Sequence, residues 1–282
     1  MAALTMDINQ EEFKLMRDLI QKECGIQVEQ DKVYLLESRL TKLVIENGCD
    51  SFLDFYKKAM DPSGIRIRNK IVDAMTTNET LWFRDDKPYK VLMSRIYPEL
   101  AEKAKKGQMV RMWSAACSTG QEPYSMSMVA HEYARLHNAT ALTNALKIHA
   151  TDISPSVIML AKMARYDKIS MSRGMWPEYQ QRYFTGDEKV ASPIESVKRP
   201  VTFEQFNLQS PFHTVGKFDV IFLRNVAIYF SKEFKQDLFN KVADALHPGG
   251  YLFLGSSESL MGYQTPFKLQ QHEGCLFYQK PL

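Results

Sequence analysis

The stretch WSAACSTGQEPYS, residues 113–125, constrains the fold more than any other part of the chain. The apolar residues of 109–113 read as the end of a buried strand. Small residues follow, Ser114, Ala115, Ala116, Ser118, Thr119 and Gly120, and then a helical run from Glu122 through Ala134. A strand that breaks into a tight small-residue turn and then a helix is the ligand-binding corner of an open α/β sheet. Small side chains let a ligand approach the backbone, and the helix start offers unpaired N–H groups. Pro123 suits the first turn of that helix, where its missing N–H costs little.

The turn has one glycine, not the G-x-G-x-x-G of a dinucleotide fingerprint. Nucleotide, dinucleotide and S-adenosylmethionine sites all use such a corner, and so does a tight turn with no ligand. The neighbouring motifs narrow the choice. Asp152 ends a second apolar run, and an acid there commonly accepts hydrogen bonds from both ribose hydroxyls of a nucleoside. Asp152 or Ser154 can equally cap the helix that starts at Ser154-Pro155. Residues 218–223, FDVIFL, read as a buried parallel strand ending in RNVAIYF, 224–230. A helix from Glu233 to Leu246 is stopped by His247-Pro248-Gly249-Gly250, with His247 as a helix C-terminal residue. A strand over 251–255 and a late hairpin ending near Gln279 complete the sheet.

Net charge is +3 over 282 residues, too small to argue for nucleic acid or a membrane surface. The four cysteines, Cys24, Cys49, Cys117 and Cys275, lack C-x-x-C spacing. Reduced, buried thiols are expected, and no metal site. With no signal peptide and no long apolar run, a soluble cytoplasmic protein without membrane insertion is expected, as a monomer.

The first 77 residues read as a small helical bundle. Leu36, Leu40 and Leu43 recur at helical spacing, with Lys32, Arg39 and Lys42 on another face. A linker over 78–106 follows, with a helix from about Asp86 to Lys106, and the sheet domain occupies 107–282. Thr80 and Arg84 share a face if their segment is helical, and Asn78-Glu79-Thr80 can also be a helix cap. Trp82, Trp113 and Trp176 read as packing residues.

Together, NETLWFRD (78–85), residues 113–125, TDI (151–153) and RNVAIYF (224–230) resemble the CheR family, bacterial chemoreceptor glutamate methyltransferases that use S-adenosylmethionine. The resemblance runs from about Phe13 to about Tyr278. It implies an α/β fold: a Rossmann-like class I methyltransferase sheet, an N-terminal all-α domain, and a small antiparallel β subdomain inserted within 171–206. It implies that Asn78 and Thr80 bind the cofactor and that Arg84 lies in the active site, against cofactor or substrate. By the same resemblance Glu122 meets the methionine end, Asn207 and Leu208 read the adenine, Arg224 and Asn225 contact the cofactor, and Tyr229 is an active-site tyrosine. Arg39 and Lys42 would face the acidic stalk of the receptor's cytoplasmic domain. Some members grip a C-terminal receptor pentapeptide through a longer, glycine-rich loop after the Tyr-Phe pair. Here that loop has only Gly186 and is shorter, which argues against tethering.

The implied reaction moves a methyl group from a sulfonium to a glutamate oxygen. Glutamate has a reference pKa of about 4.3 and is already ionised at neutral pH, so no general base is needed. The absence of a His or Cys constellation agrees with that.

Overall fold

The computed structural model describes residues 6–187 and 189–282. Helix α1 (Gln10–Cys24) opens on a capping box, with Asn9 and Glu12 bonding each other's backbone, and ends at Gly25 in the left-handed region. Glu12 also accepts from Leu53 N–H at 3.0 Å, which ties α1 to α3. Helices α2 (Val33–Glu46), α3 (Phe52–Met60) and α4 (Ile65–Met75) complete the bundle. Their apolar stripes meet in one core around Met16, Leu36, Leu40, Val44, Phe52 and Phe55.

The segment 78–81 is neither helix nor strand, and turns follow over 82–85. Phe83, Asp85 and Asp86 take positive φ, and Trp82 N–H donates to the Arg173 carbonyl. Aromatic packing overrides helical spacing here: Trp82 meets Tyr166 and Phe184 edge-on, and Phe83 stacks on Trp176 at 4.2 Å. A continuous helical path then runs through Lys87–Val91, a π-turn at Leu92–Ile96, and Tyr97–Lys105.

Among the described residues the main sheet has seven strands. In chain order they are β1 (Val110–Ala115), β2 (Leu146–Asp152), β6 (Val201–Gln205), β7 (Phe218–Leu223), β8 (Leu246–Leu254), β9 (Lys268–His272) and β10 (Cys275–Gln279). The spatial order is β6-β2-β1-β7-β8-β10-β9. The first five are parallel, and the late hairpin β9–β10 pairs antiparallel. The chain leaves β1 toward β2 on one side and later fills β7 on the other. That reversal beside β1 opens a crevice at the carboxyl ends of β1, β2 and β7, where open α/β sheets bind ligands.

The small antiparallel sheet, order β3-β5-β4, holds β3 (Tyr166–Asp167), β4 (Phe184–Gly186) and β5 (Val190–Pro193). β3 therefore precedes the 171–206 range, while β6 pairs with β2 in the main sheet. β8 also begins earlier than the helix-stop reading of 247–250 suggests. His247 to Gly250 lie inside the strand, absorbed by a register shift against β7 and a positive φ at Gly249. His247 is thus a strand residue.

Candidate active site

The turn after β1 takes an unusual backbone path. Ala116 and Ser118 adopt φ of 64° and 49°, and Gly120 adopts 94°. Left-handed geometry at two non-glycine residues is costly and concentrates at functional sites. The lone glycine is needed for space as well: a Cβ on Gly120 would lie 3.1–3.2 Å from Tyr166 Oη, Ala161 Cβ and the Phe203 ring. Longer-range bonds hold the turn. Cys117 N–H donates to the Thr151 carbonyl, and Ser118 Oγ donates to the Asn78 carbonyl at 2.8 Å.

Asp152 closes β2 as a buried carboxylate. Its oxygens accept from Ser118 N–H at 2.9 Å and Ser154 N–H at 3.0 Å. Ser154 caps the next helix (Pro155–Met163) itself, which leaves Asp152 turned toward the β1 corner. Burial pushes the Asp152 carboxyl up, and the backbone donors only partly offset it.

Glu122, in the first turn of the helix Gln121–His137, accepts from Ser114 Oγ at 2.7 Å and from Arg224 Nη1 at 3.0 Å. Burial raises its carboxyl, with Arg224 and Ser114 pulling it back. Arg224 Nη2 donates to the Asp85 carboxylate at 2.6 Å and to the Arg84 carbonyl at 2.8 Å. Its Nε is buried and has no partner among the described residues.

These groups open onto one cleft between the helical bundle and the sheet. Asn78, Thr80, Arg84, Glu122, Asp152, Asn207, Leu208, Arg224, Asn225 and Tyr229 all line it. So do Cys24, Ile26, Thr76 and Thr77 from the bundle side, and Ile153 and Phe206 beside Asp152. The rim is stitched by bonds between bundle and sheet domain. Ser154 Oγ donates to Asp73 at 2.5 Å, Ile26 pairs with Phe230, and Gln27 N–H donates to the Tyr229 carbonyl at 2.9 Å.

Residues 11–76 match the family model described as the CheR methyltransferase all-alpha domain, and residues 78–275 match the CheR methyltransferase SAM-binding domain. The chain belongs to the CheR methyltransferase family. It is similar to chemotaxis protein methyltransferase 1 of Pseudomonas aeruginosa, with 42% identity covering 95% of this chain and 97% of that one. Chemotaxis protein methyltransferase Cher2 of Pseudomonas putida is 40% identical over the same shares. A chemotaxis protein methyltransferase of Vibrio anguillarum is 39% identical over 99% of both chains. As a CheR methyltransferase, the chain is an S-adenosylmethionine-dependent enzyme of chemotaxis, with the α/β sheet, all-α domain and small antiparallel sheet expected of it. Among the described residues no helix is long and apolar enough to cross a membrane.

The donor set of the cleft fits the cofactor of CheR enzymes. The carboxylates of buried Asp152 and half-buried Glu122 line the cleft, and each oxygen that already accepts one protein donor keeps a lone pair that can take a ribose hydroxyl or an ammonium. The Arg84 guanidinium can meet a carboxylate, and Ile153, Phe206 and Leu208 make an apolar wall suited to a base. Burial pushes the Cys24 thiol up to about 11 and the Cys117 thiol well up, so neither is a thiolate nucleophile at neutral pH.

Two site residues are engaged differently from the sequence reading. Asn207 Nδ2 donates to the Glu23 carbonyl at 2.8 Å, and Oδ1 accepts from Gln209 N–H. Its amide joins α1 to the sheet domain while the residue lines the cleft. Arg39 lies outside the cleft and donates to the Met75 carbonyl at 2.6 Å and to Thr77 Oγ1 at 3.3 Å. An arginine reaching a helix C-terminus meets carbonyls with no partner of their own. Lys42 is exposed and pairs loosely with Glu46 at 3.6 Å. Sequence reasoning missed Asp85, Ser114 and Ser118 as organisers of the site. The first sits inside the 78–85 motif and the other two inside 113–125, so both motifs carried the signal.

Proposed function

We propose that this enzyme methylates glutamate side chains in the cytoplasmic domain of chemoreceptors, forming methyl esters. The observation that carries the reading is the convergence of Asn78, Thr80, Arg84, Glu122, Asp152, Leu208, Arg224, Asn225 and Tyr229 on one cleft at the sheet's switch point. When bound, S-adenosylmethionine supplies a methyl group on a sulfonium. Asp152 would accept the ribose hydroxyls, Glu122 the α-ammonium, and Asn78 and Thr80 would hold the cofactor from the bundle side. Asn207 and Leu208 would flank the adenine through backbone and apolar contact.

A glutamate acceptor arrives ionised, so the chain needs to align it rather than deprotonate it. Arg84 suits that task. Its guanidinium makes a single bond among the described residues, from Nη1 to the Glu79 carbonyl at 3.3 Å. Tyr229, on the 227–229 turn, lines the same cleft and can offer a second donor. Removing the acceptor carboxylate from water favours the loss of charge toward the transition state.

Receptor docking is read as direct contact with an acidic helical stalk, through Lys42 on α2. The β4–β5 connection is short, residues 187–189, with Glu188 outside the described residues, and this supports docking without a tail tether. The deciding experiment incubates the enzyme with methyl-labelled cofactor and a receptor cytoplasmic fragment. Label released as methanol by mild base is expected, and it should disappear when the acceptor glutamates are changed to alanine. Label stable to base would overturn the ester assignment.

A further inference from the structure

The loop after β7 lines the cleft with Arg224, Asn225, Val226, Tyr229 and Phe230. A loop leaving a strand end has N–H groups without ladder partners, and each needs an acceptor. One side chain takes three of them, those of Asn225, Val226 and Ile228. Glu258 Oε2 accepts from Asn225 N–H at 2.6 Å and Gly255 N–H at 2.7 Å. Its Oε1 accepts from Val226 N–H at 3.1 Å and Ile228 N–H at 3.3 Å.

The topology explains the meeting. β8 runs parallel to β7 with Leu254 beside Leu223, so the chain emerges next to the loop. A turn closed by Glu258 N–H to the Gly255 carbonyl, at 2.9 Å, folds the carboxylate back over the end of β7. Gly255 leaves room for it. A Cβ there would lie 2.7 Å from Glu258 Oε2, 2.7 Å from Asn225 Nδ2 and 2.9 Å from Asn225 N. Asn225 itself sits at φ 57°, a region that needs support from its surroundings.

We infer that Glu258 is a positioning residue: its carboxylate fixes the backbone of 225–228 and so aims Asn225 and Tyr229 into the cleft, which Glu258 itself does not line. The inference rests on the reading of the cleft as the cofactor and acceptor site. A carboxylate suits the task because it accepts on both oxygens, and bonds to an ionised acceptor are the strong ones. A glutamine in its place turns an NH₂ group toward two of the donors.

The test measures S-adenosylhomocysteine affinity by calorimetry, alongside thermal midpoints without ligand. It compares wild type, Glu258→Gln, Gly255→Ala and Lys103→Met. Lys103 pairs with Asp219 at 2.5 Å near the start of β7, away from the loop. It therefore reports what destabilisation alone does. Glu258→Gln and Gly255→Ala are expected to weaken binding about tenfold or more, the scale of one or two hydrogen bonds to a charged group. Lys103→Met should lower the midpoint and leave affinity unchanged. Binding by Glu258→Gln within about twofold of wild type overturns the inference. So does an equal loss in Lys103→Met at the same drop in midpoint. Should Glu258→Gln not fold, Gly255→Ala decides by the same criterion. Failure of wild type itself to bind is a different result, and it strikes the reading of the cleft.

Discussion

Arg224 Nη1 and Glu122 Oε2 lie 3.0 Å apart at the switch point, with side chains 1% and 12% exposed. Burial works against the arginine's charge, and the carboxylates of Glu122 and Asp85 more than offset it. Removing one partner of such a pair strands the other in a dry site. Arg224→Met is expected to cost about 3–5 kcal/mol. The deficit should depend on pH. A carboxyl whose folded pKa is raised gives its full stability below the unfolded pKa and loses it as pH rises through the folded one. Without Arg224 the Glu122 carboxyl rises further, so the variant should fall furthest behind wild type on the alkaline side. Adding Glu122→Gln should recover part of the loss. Thermal midpoints across pH check this, and a deficit independent of pH would show that Glu122 carries no stranded charge.

Much of this cleft was legible because local patterns mark it. An apolar run, small residues and a helix start identify the β1 corner, and an acid at a strand end identifies Asp152. Residues 218–223 read correctly because a fully buried strand needs no alternation. What was hidden depends on partners distant in sequence. Glu258 sits in a polar stretch with no motif to mark it, and its backbone donors come within reach only when β8 is laid beside β7. The 78–85 segment has helical spacing, yet Trp82 and Phe83 pack against an insertion some ninety residues on, about which local periodicity carries nothing. Arg39 and Asn207 likewise answer to carbonyls at the ends of other helices.

Glu132 anchors the insertion to the helix Gln121–His137. Its carboxylate takes a fork from Arg135 at 2.7 and 3.1 Å, the Tyr183 hydroxyl at 2.7 Å and Arg182 at 2.9 Å. The Arg135 bonds, with Tyr183 and Arg182, hold its pKa down to about 2 against burial. A depressed carboxyl gives its full stability above the unfolded pKa, about 4.3, and loses it as pH falls through the folded value. Glu132→Gln is therefore expected to melt below wild type near neutrality, with the gap closing in acid. Hydrogen exchange should show the variant's opening confined to 177–193. A uniform rise across the main sheet would refute the local role.

Arg84 and Tyr229 should separate activity from stability. Arg84 has one long hydrogen bond and Tyr229 Oη has no partner among the described residues, so neither the guanidinium nor the hydroxyl is needed for the fold. Arg84→Ala is expected to leave the thermal midpoint nearly unchanged while single-turnover methylation falls by about 10²-fold, the scale of a lost orienting contact. Tyr229→Phe removes only a hydroxyl and should be milder. An early-melting Arg84→Ala with a proportionate activity loss would make Arg84 structural, and full activity in Tyr229→Phe would reduce Tyr229 to packing.

Arg39 and Lys42 share the basic side of α2 yet should behave differently. Arg39 bonds the Met75 carbonyl and Thr77, and Thr77 lines the cleft, so Arg39→Ala should loosen the cleft wall. A charged hydrogen bond of this kind is worth about 1.5–3 kcal/mol, and cofactor affinity should fall along with the thermal midpoint. Lys42 is exposed beside Glu46, and its pair contributes at most about 1 kcal/mol. Lys42→Glu should leave folding and cofactor binding untouched while slowing receptor methylation at low salt. That slowing should fade as salt screens the stalk. Methylation assays at two ionic strengths, with calorimetry of S-adenosylhomocysteine, separate the two. Equal, salt-sensitive effects on receptor methylation alone would return Arg39 to the docking face.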